Sequence, residues 1–341
     1  MLPMQTTALP QAVTLTECLL RDGLQSLERV LTTREKQALL SRIAAAGFRR
    51  IEVTSFVPPK YYPQFYDADA MLAYARETTN AELIAFVPNA KGMERAAETA
   101  KAGYGPDLAL MVVSASEAHN RGNLKRSREE TMAEHARAAE IAAAAGIEII
   151  GSISTSFGCP YTGDVPVDEV CRLVAHYDNI GAREVQFGDT TGMANPVQVQ
   201  RFFEAVGPEL NGMAPVAHFH DSRGLAMTNS LVATAMGVTT VDTALGGLGG
   251  RPPEQRVQAG GPTGNTSSED LAAAAAEMGV QTGLDVDRVI AAGCQLQTLL
   301  GRDLYSHTPF AGRVRHAPQV APARTAPREG RNAGPLLVAN G

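Results

Sequence analysis

The sequence predicts an α/β protein, a (β/α)8 TIM barrel with extra C-terminal helices. Three observations lead there. Short apolar runs recur eight times along the 341 residues, Ala-rich stretches of helical periodicity lie between them, and polar residues cluster just past the runs. In such barrels the functional groups sit on the loops that follow the strands. A doubly wound open sheet is the alternative reading of the same pattern.

Taken in order, the predicted strands cover residues 13–19, 50–53, 82–87, 107–113, 148–154, 184–187, 216–220 and 239–244. Helical periodicity covers 33–46, 93–102, 128–145, 167–180, 196–206 and 229–236, and several of these segments end at a glycine placed to cap them, at Gly47, Gly103, Gly146, Gly181 and Gly237. Two further helices, 267–278 and 286–300, follow the last strand. Residues 1–305 therefore read as one barrel domain. Residues 306–341 are Pro-, Ala- and Arg-rich with little periodicity, and are expected to be a flexible tail or one draped over a neighbour.

Composition narrows the function. With 44% hydrophobic residues the chain can bury a large core. A net charge of −6 and no basic stripe argue against nucleic acid. The cysteines at 18, 159, 171 and 294 lack C-x-x-C spacing, so neither a zinc ribbon nor a disulfide framework is indicated. No basic start with an apolar segment opens the chain, and no apolar run nears the ~18 residues of a spanning helix. A reducing cytoplasm, no membrane and a homo-oligomer (dimer or higher) are expected.

The chemistry gathers at Ala217-His218-Phe219-His220-Asp221. Alternate side chains of a strand share a face, so His218 and His220 project the same way, as two ligands of one metal would. A hydrogen-bonded histidine pair is the plainer reading of H-x-H alone. Barrel closure supplies the rest: strand 1 neighbours strand 8, and strand 8 neighbours strand 7. Asp22 after strand 1 and Asn265 after strand 8 can thus converge on the two histidines. One carboxylate, two imidazoles and an amide oxygen suit Mg2+ or Mn2+ better than a thiolate-seeking ion.

The ordered motifs T-E-C-L-L-R-D-G-L-Q (16–25), E-V-T-S-F-V-P-P-K (52–60), F-G-C-P-Y-T-G (157–163), G-D-T-T-G (188–192), H-F-H-D-S-R-G (218–224) and G-L-G-G (247–250) resemble the 3-hydroxy-3-methylglutaryl-CoA lyase family, among the barrel metallolyases. The resemblance runs from about residue 13 to 300. It implies that Asp22, His218, His220 and Asn265 bind a divalent metal. It further implies that Arg21 polarises the thioester carbonyl of an acyl-CoA substrate, and that Glu52 helps hold Arg21 or the substrate. Asp189 and Thr190 suit a ligand imidazole's outer partner or a substrate contact. Gln25 and Ser55 are candidate polar pocket walls, and either could equally satisfy local backbone groups. Cys159 reads as a small buried thiol. The basic run 121–128 is placed to meet coenzyme A phosphates or to start a solvated helix.

One position departs from the family. Its loop after strand 8 reads G-L-G-G-C-P, with the cysteine taken to protonate the enolate, whereas this chain has Arg251 and a longer connection containing Glu254. Arginine cannot give up a proton near neutral pH. Arg251 is therefore expected to pair with a substrate carboxylate or a coenzyme A phosphate, with proton delivery falling to Glu254 or water. The resulting expectation is a working lyase that cleaves hydroxymethylglutaryl-CoA or a close analogue such as citramalyl-CoA. A Claisen-condensing synthase, an aldolase for free keto acids and a non-catalytic binding protein are the alternatives. The synthase is disfavoured because only some 40 residues follow the last predicted helix.

Overall fold

The computed structural model describes residues 9–250 and 264–316. Eight parallel strands close into a barrel in chain order. They are β1 (Thr14–Glu17), β2 (Arg50–Ser55), β3 (Glu82–Phe86), β4 (Leu108–Ser114), β5 (Glu148–Ser154), β6 (Glu184–Asp189), β7 (Ala214–Phe219) and β8 (Thr240–Thr243). The ring closes where Thr14 lies opposite Thr240 and Glu17 opposite Thr243. Every residue of β2, β4 and β6 is buried, because barrel interior and helical jacket cover both faces.

The jacket comprises α1 (Thr33–Ala45), α2 (Ala68–Thr78), α3 (Ala90–Lys101), α4 (Glu117–Leu124), α5 (Arg128–Ala145), α6 (Val167–Asn179), α7 (Pro196–Val206) and α8 (Ala226–Ala235). After it come α9 (Ser268–Glu277), α10 (Val286–Leu300) and the short α11 (Thr308–Ala311). Local chemistry sets the helix ends. Thr32 with Glu35 and Ser127 with Glu130 form reciprocal capping boxes at the starts of α1 and α5. Of the predicted capping glycines, Gly146 illustrates the logic: it closes α5 at φ 70°, where a Cβ would strain the backbone.

The barrel's two ends differ. At the strand starts, Arg50 of β2 reaches across to β6 and donates to both carboxylate oxygens of Glu184, at 2.8 and 2.7 Å. Above that ionic floor, Ile84, Leu108, Leu110 and Ile150 form an apolar layer with Phe86 packed against it. The C-terminal ends of the strands are left for chemistry.

Three elements differ from the sequence reading. The first strand stops at Glu17, and the residues after Cys18 coil into a single π-helical turn, Leu19–Gly23. Helices α2 and α4 were not among the predicted segments; α2 follows a stretch rich in Pro and Tyr that hides its periodicity, and α4 is only two turns long. The expected tail also begins inside the packed structure. Asp270 accepts hydrogen bonds from the N–H groups of His307 and Thr308 and from the Thr308 hydroxyl, fixing the chain as it enters α11. Residues 317–341 lie outside the described residues. No helix among the described residues is long and apolar enough to cross a membrane.

Candidate active site

His218 lies near the end of β7 and His220 immediately after it. Between them Phe219 turns the opposite way into the jacket, its ring 5.3 Å from that of Phe157. This strand alternation brings the two imidazoles together. Each has its Nδ1 committed elsewhere. His218 Nδ1 donates to Asp242 Oδ2 of β8 (3.2 Å), and His220 Nδ1 donates to the main-chain oxygen of Thr190 (2.8 Å), which can only accept. The two Nε2 atoms then face one another 3.0 Å apart.

The third component arrives on the π-helical turn. The Cys18 carbonyl accepts from the N–H groups of Asp22 (2.9 Å) and Gly23 (3.2 Å), a tight closure that carries Arg21 and Asp22 to the barrel mouth. Such turns often mark functional sites. Asp22 Oδ2 lies 3.6 Å from His220 Nε2 and accepts from Asn265 Nδ2 at 2.7 Å. Gly249 seals this corner: a Cβ there would stand 2.2 Å from Asn265 Nδ2 and 2.8 Å from Asp22 Oδ2. Asp22, His218, His220 and Asn265, separated widely in sequence, are brought together as expected.

The electrostatics favour added positive charge. Burial alone would raise Asp22, but the Arg21 guanidinium beside it, then His220 and His218, hold its carboxyl well below the usual carboxylate range. Burial disfavours a charged His218, yet Asp242 and Asp22 raise it above the ordinary imidazole value. Two features fit a divalent cation. With both Nδ1 atoms engaged by acceptors, neutral rings turn two Nε2 lone pairs on each other at 3.0 Å, a repulsion relieved by a proton or by a shared cation. Asn265 Oδ1 is buried with no hydrogen-bond partner among the described residues, so an acceptor stands ready beside the carboxylate. Asp22, His218 and His220 offer ligand atoms within 4.8 Å of one another.

Arg21 flanks this cluster. Its Nε donates to Glu52 Oε1 at 2.6 Å and its Nη1 to Asp22 Oδ1 at 2.9 Å, while the guanidinium lies 5.2 Å from the centre of the Phe86 ring. Although burial works against the charge, Glu52 and Asp22 hold Arg21 firmly protonated. Burial likewise raises Glu52, with Arg21 opposing. Arg21, Asp22, His218 and His220 all line one cavity of about 1190 Å³. That exceeds the ~300–1,000 Å³ of ordinary small-ligand sites and leaves room for a long ligand.

The remaining expected residues divide. Gln25 lines the cavity, and so does Thr190, although its hydroxyl is used to accept from Thr155 N–H. Two others satisfy local backbone groups, which for Ser55 is one of the two roles expected of it. Ser55 Oγ accepts from Val57 N–H, and Asp189 accepts from the N–H groups of Met193 and Ala194. Both side chains are engaged in turning the backbone, and neither lines the cavity. Within the basic run, Lys125 and Arg126 line the cavity, Lys125 donating to the Gly122 carbonyl oxygen and Arg126 pairing with Glu134 at 3.7 Å, whereas Arg121 pairs with Glu117 and Arg128 with Glu169, each at 2.6 Å. Arg251 and Glu254 lie outside the described residues.

Asp242 is the residue that sequence reasoning missed. It is the penultimate residue of β8, between Val241 and Thr243, and the signal was a buried acid one residue before the strand end. Gln186 of β6 donates to the same Oδ2, and Ser152 of β5 bonds in turn to Gln186, so three strands hold the acceptor in place. Outer partners of this kind orient a ligand imidazole. Asp242→Ala is expected to weaken Mn2+ binding by ~10–100-fold, read by titration calorimetry, with the far-ultraviolet spectrum unchanged.

The comparisons agree with this geometry. The sequence profile of the HMGL-like family matches residues 12–294. The chain is 34% identical over 297 residues to a hydroxymethylglutaryl-CoA lyase of Bacillus subtilis, covering 87% of this chain and 96% of that protein. It is 35% identical over 320 residues to the (R)-citramalyl-CoA lyase of Chloroflexus aurantiacus, covering 91% and 97%. Among solved structures, an HMG-CoA lyase from Acinetobacter baumannii, in complex with coenzyme A and 3-methylmalate, superposes with a TM-score of 0.83 at 34% identity, over 91% of this chain and 98% of that one.

Proposed function

This chain belongs to the hydroxymethylglutaryl-CoA lyase family and is a carbon–carbon lyase; on that premise we propose that it cleaves a 3-hydroxyacyl-CoA to acetyl-CoA and a keto acid, using Mg2+ or Mn2+. The observation that carries this reading is the buried Arg21 guanidinium set against the cluster of Asp22, His218, His220 and Asn265, with Arg21, Asp22 and both histidines lining a cavity large enough for a long ligand.

Breaking the C2–C3 bond sends its electron pair to C2 as an enolate on the thioester oxygen. The C3 hydroxyl loses its proton and becomes the ketone of the departing keto acid, and C2 finally takes a proton. Asp22, His218, His220 and Asn265 would hold a divalent ion, which when bound would supply Lewis acidity toward the substrate's oxygens. Arg21 holds the enolate oxygen, where a preorganised cation in a water-poor pocket is most effective. Glu52 fixes the guanidinium's orientation from the side away from Asp22. Asp242 and the Thr190 carbonyl keep both imidazoles presenting Nε2 to the site. Lys125 and Arg126, which line the cavity, are proposed to meet coenzyme A phosphates.

Two acyl groups compete, hydroxymethylglutaryl and citramalyl, since relatives named for each match at nearly equal identity. Incubating the protein with Mn2+ and either thioester separates them. Acetoacetate with acetyl-CoA marks the first, and pyruvate with acetyl-CoA the second. Acetyl-CoA from neither thioester contradicts the proposal.

The loop carrying Arg251 and Glu254 bears on the same assay. Because its charge is permanent, Arg251 is proposed to bind a substrate carboxylate or a coenzyme A phosphate, with Glu254 or water delivering the proton to C2. Arg251→Ala should then raise KM, while Glu254→Gln should lower kcat for every thioester cleaved. Thiol-blocking reagents should leave turnover largely intact. Inactivation of a well-folded enzyme by such a reagent would instead assign the acid role to a cysteine, with Cys159 the first to replace.

A further inference from the structure

Glu17 ends β1, five residues before Asp22, and is fully buried. Its Oε1 accepts from the N–H groups of Leu19 (2.9 Å) and Leu245 (3.0 Å). Its Oε2 lies 2.6 Å from Ser268 Oγ, which lies 2.8 Å from Thr243 Oγ1, which lies 3.1 Å from the Thr16 carbonyl oxygen. Each hydroxyl has one proton to give. The Thr16 carbonyl can only accept, so it takes the Thr243 proton. Thr243 Oγ1 then accepts the Ser268 proton. The short contact between Ser268 and Glu17 is left with no proton unless Glu17 brings it. An ionised Glu17 would turn Thr243 away from Thr16 and leave a buried anion with no cation against it.

We propose that Glu17 is a neutral carboxylic acid in the native protein and acts, in that form, as a positioning residue that fastens together the three segments carrying the active site. The first segment is the turn Leu19–Gly23, which bears Arg21 and Asp22. The second is the short 3-10 turn Leu245–Gly247, which leads to Gly249 against Asp22 and Asn265. The third is α9, whose first residue, Ser268, follows Asn265 by three positions. A carbonyl oxygen taking two N–H groups and an O–H meeting a hydroxyl satisfy all three at once. Burial pushes the Glu17 carboxyl up to about 8, consistent with the proton count. Its ionisable neighbours, the Glu269 carboxyl of α9 and the Cys18 thiol, carry no positive charge to favour the anion. Only the naming of Arg21, Asp22 and Asn265 as site residues rests on the proposed function; the proton count does not.

Two measurements test this. The infrared spectrum of the wild-type protein at neutral pH, minus that of Glu17→Gln, should show the C=O stretch of a protonated carboxylic acid. In the same variant the amide offers the same oxygen to Leu19 and Leu245 and an N–H to Ser268, so Mn2+ affinity should stay at the wild-type level. Glu17→Leu keeps the bulk but removes every bond, and Mn2+ affinity should fall by ~10–100-fold, as when a ligand's outer support is lost. Should Glu17→Leu fail to fold, Ser268→Ala cuts only the α9 link and should weaken Mn2+ binding in the same direction. An absent carboxylic band, or a glutamine variant as impaired as the leucine one, overturns the neutral-acid assignment. Undiminished Mn2+ binding by a folded Glu17→Leu overturns the positioning role. If the wild-type protein binds no Mn2+, the metal-site reading fails, and the infrared band still decides the protonation state.

Discussion

Asp22→Ala is expected to abolish divalent-cation binding and, with it, thioester cleavage. Asp22 supplies the carboxylate among otherwise neutral donors, and its charge is held in place by Arg21 and Asn265. Its removal leaves two imidazoles and an amide, a weak set for a hard oxygen-seeking ion. The loss should exceed the ~10–100-fold that follows removal of an outer partner such as Asp242. The fold should persist, read by the far-ultraviolet spectrum, although Arg21 and Asn265 each lose a buried acceptor and thermal stability should fall. Mn2+ titration by electron paramagnetic resonance reads the effect directly. A variant that binds Mn2+ as tightly as the wild type removes Asp22 from the ligand set.

Arg21→Lys is expected to cut kcat by ~10²-fold or more, with little change in KM. Lysine keeps a charge but loses the planar fork that here spans Glu52 and Asp22 at once. The enolate oxygen gains charge only as the bond breaks, so a misplaced cation costs transition-state stabilisation rather than binding. Metal affinity should be nearly preserved, which separates this variant from Asp22→Ala. A near-normal kcat would make Arg21 a structural partner of Glu52 alone.

Much of this was legible before the structure. The barrel followed from eight largely apolar runs, since strands covered on both faces are mostly apolar, and β5 spans the very residues expected. His218 and His220 were legible because strand alternation leaves no choice of face. Asp22 and Asn265 followed from barrel closure. What stayed hidden depends on contacts across the sheet or on backbone detail. Nothing in Leu19-Leu20-Arg21-Asp22-Gly23 spells a π-helical turn, which is closed by the Cys18 carbonyl rather than by a side chain. Asp189 was given a place beside the imidazoles because it ends β6 next to β7, but its carboxylate folds back onto two N–H groups of its own loop. The outer partner of His218 is instead Asp242, one strand over, and only the register of β7 against β8 reveals it.

The most direct test of the account is acetyl-CoA formation by protein stripped with chelator and assayed with hydroxymethylglutaryl-CoA or citramalyl-CoA, before and after Mn2+ is restored. The account predicts no acetyl-CoA from the stripped protein, full turnover on adding Mn2+, and none in either condition from Asp22→Ala. Turnover by the fully stripped wild-type protein, or by Asp22→Ala, would contradict it.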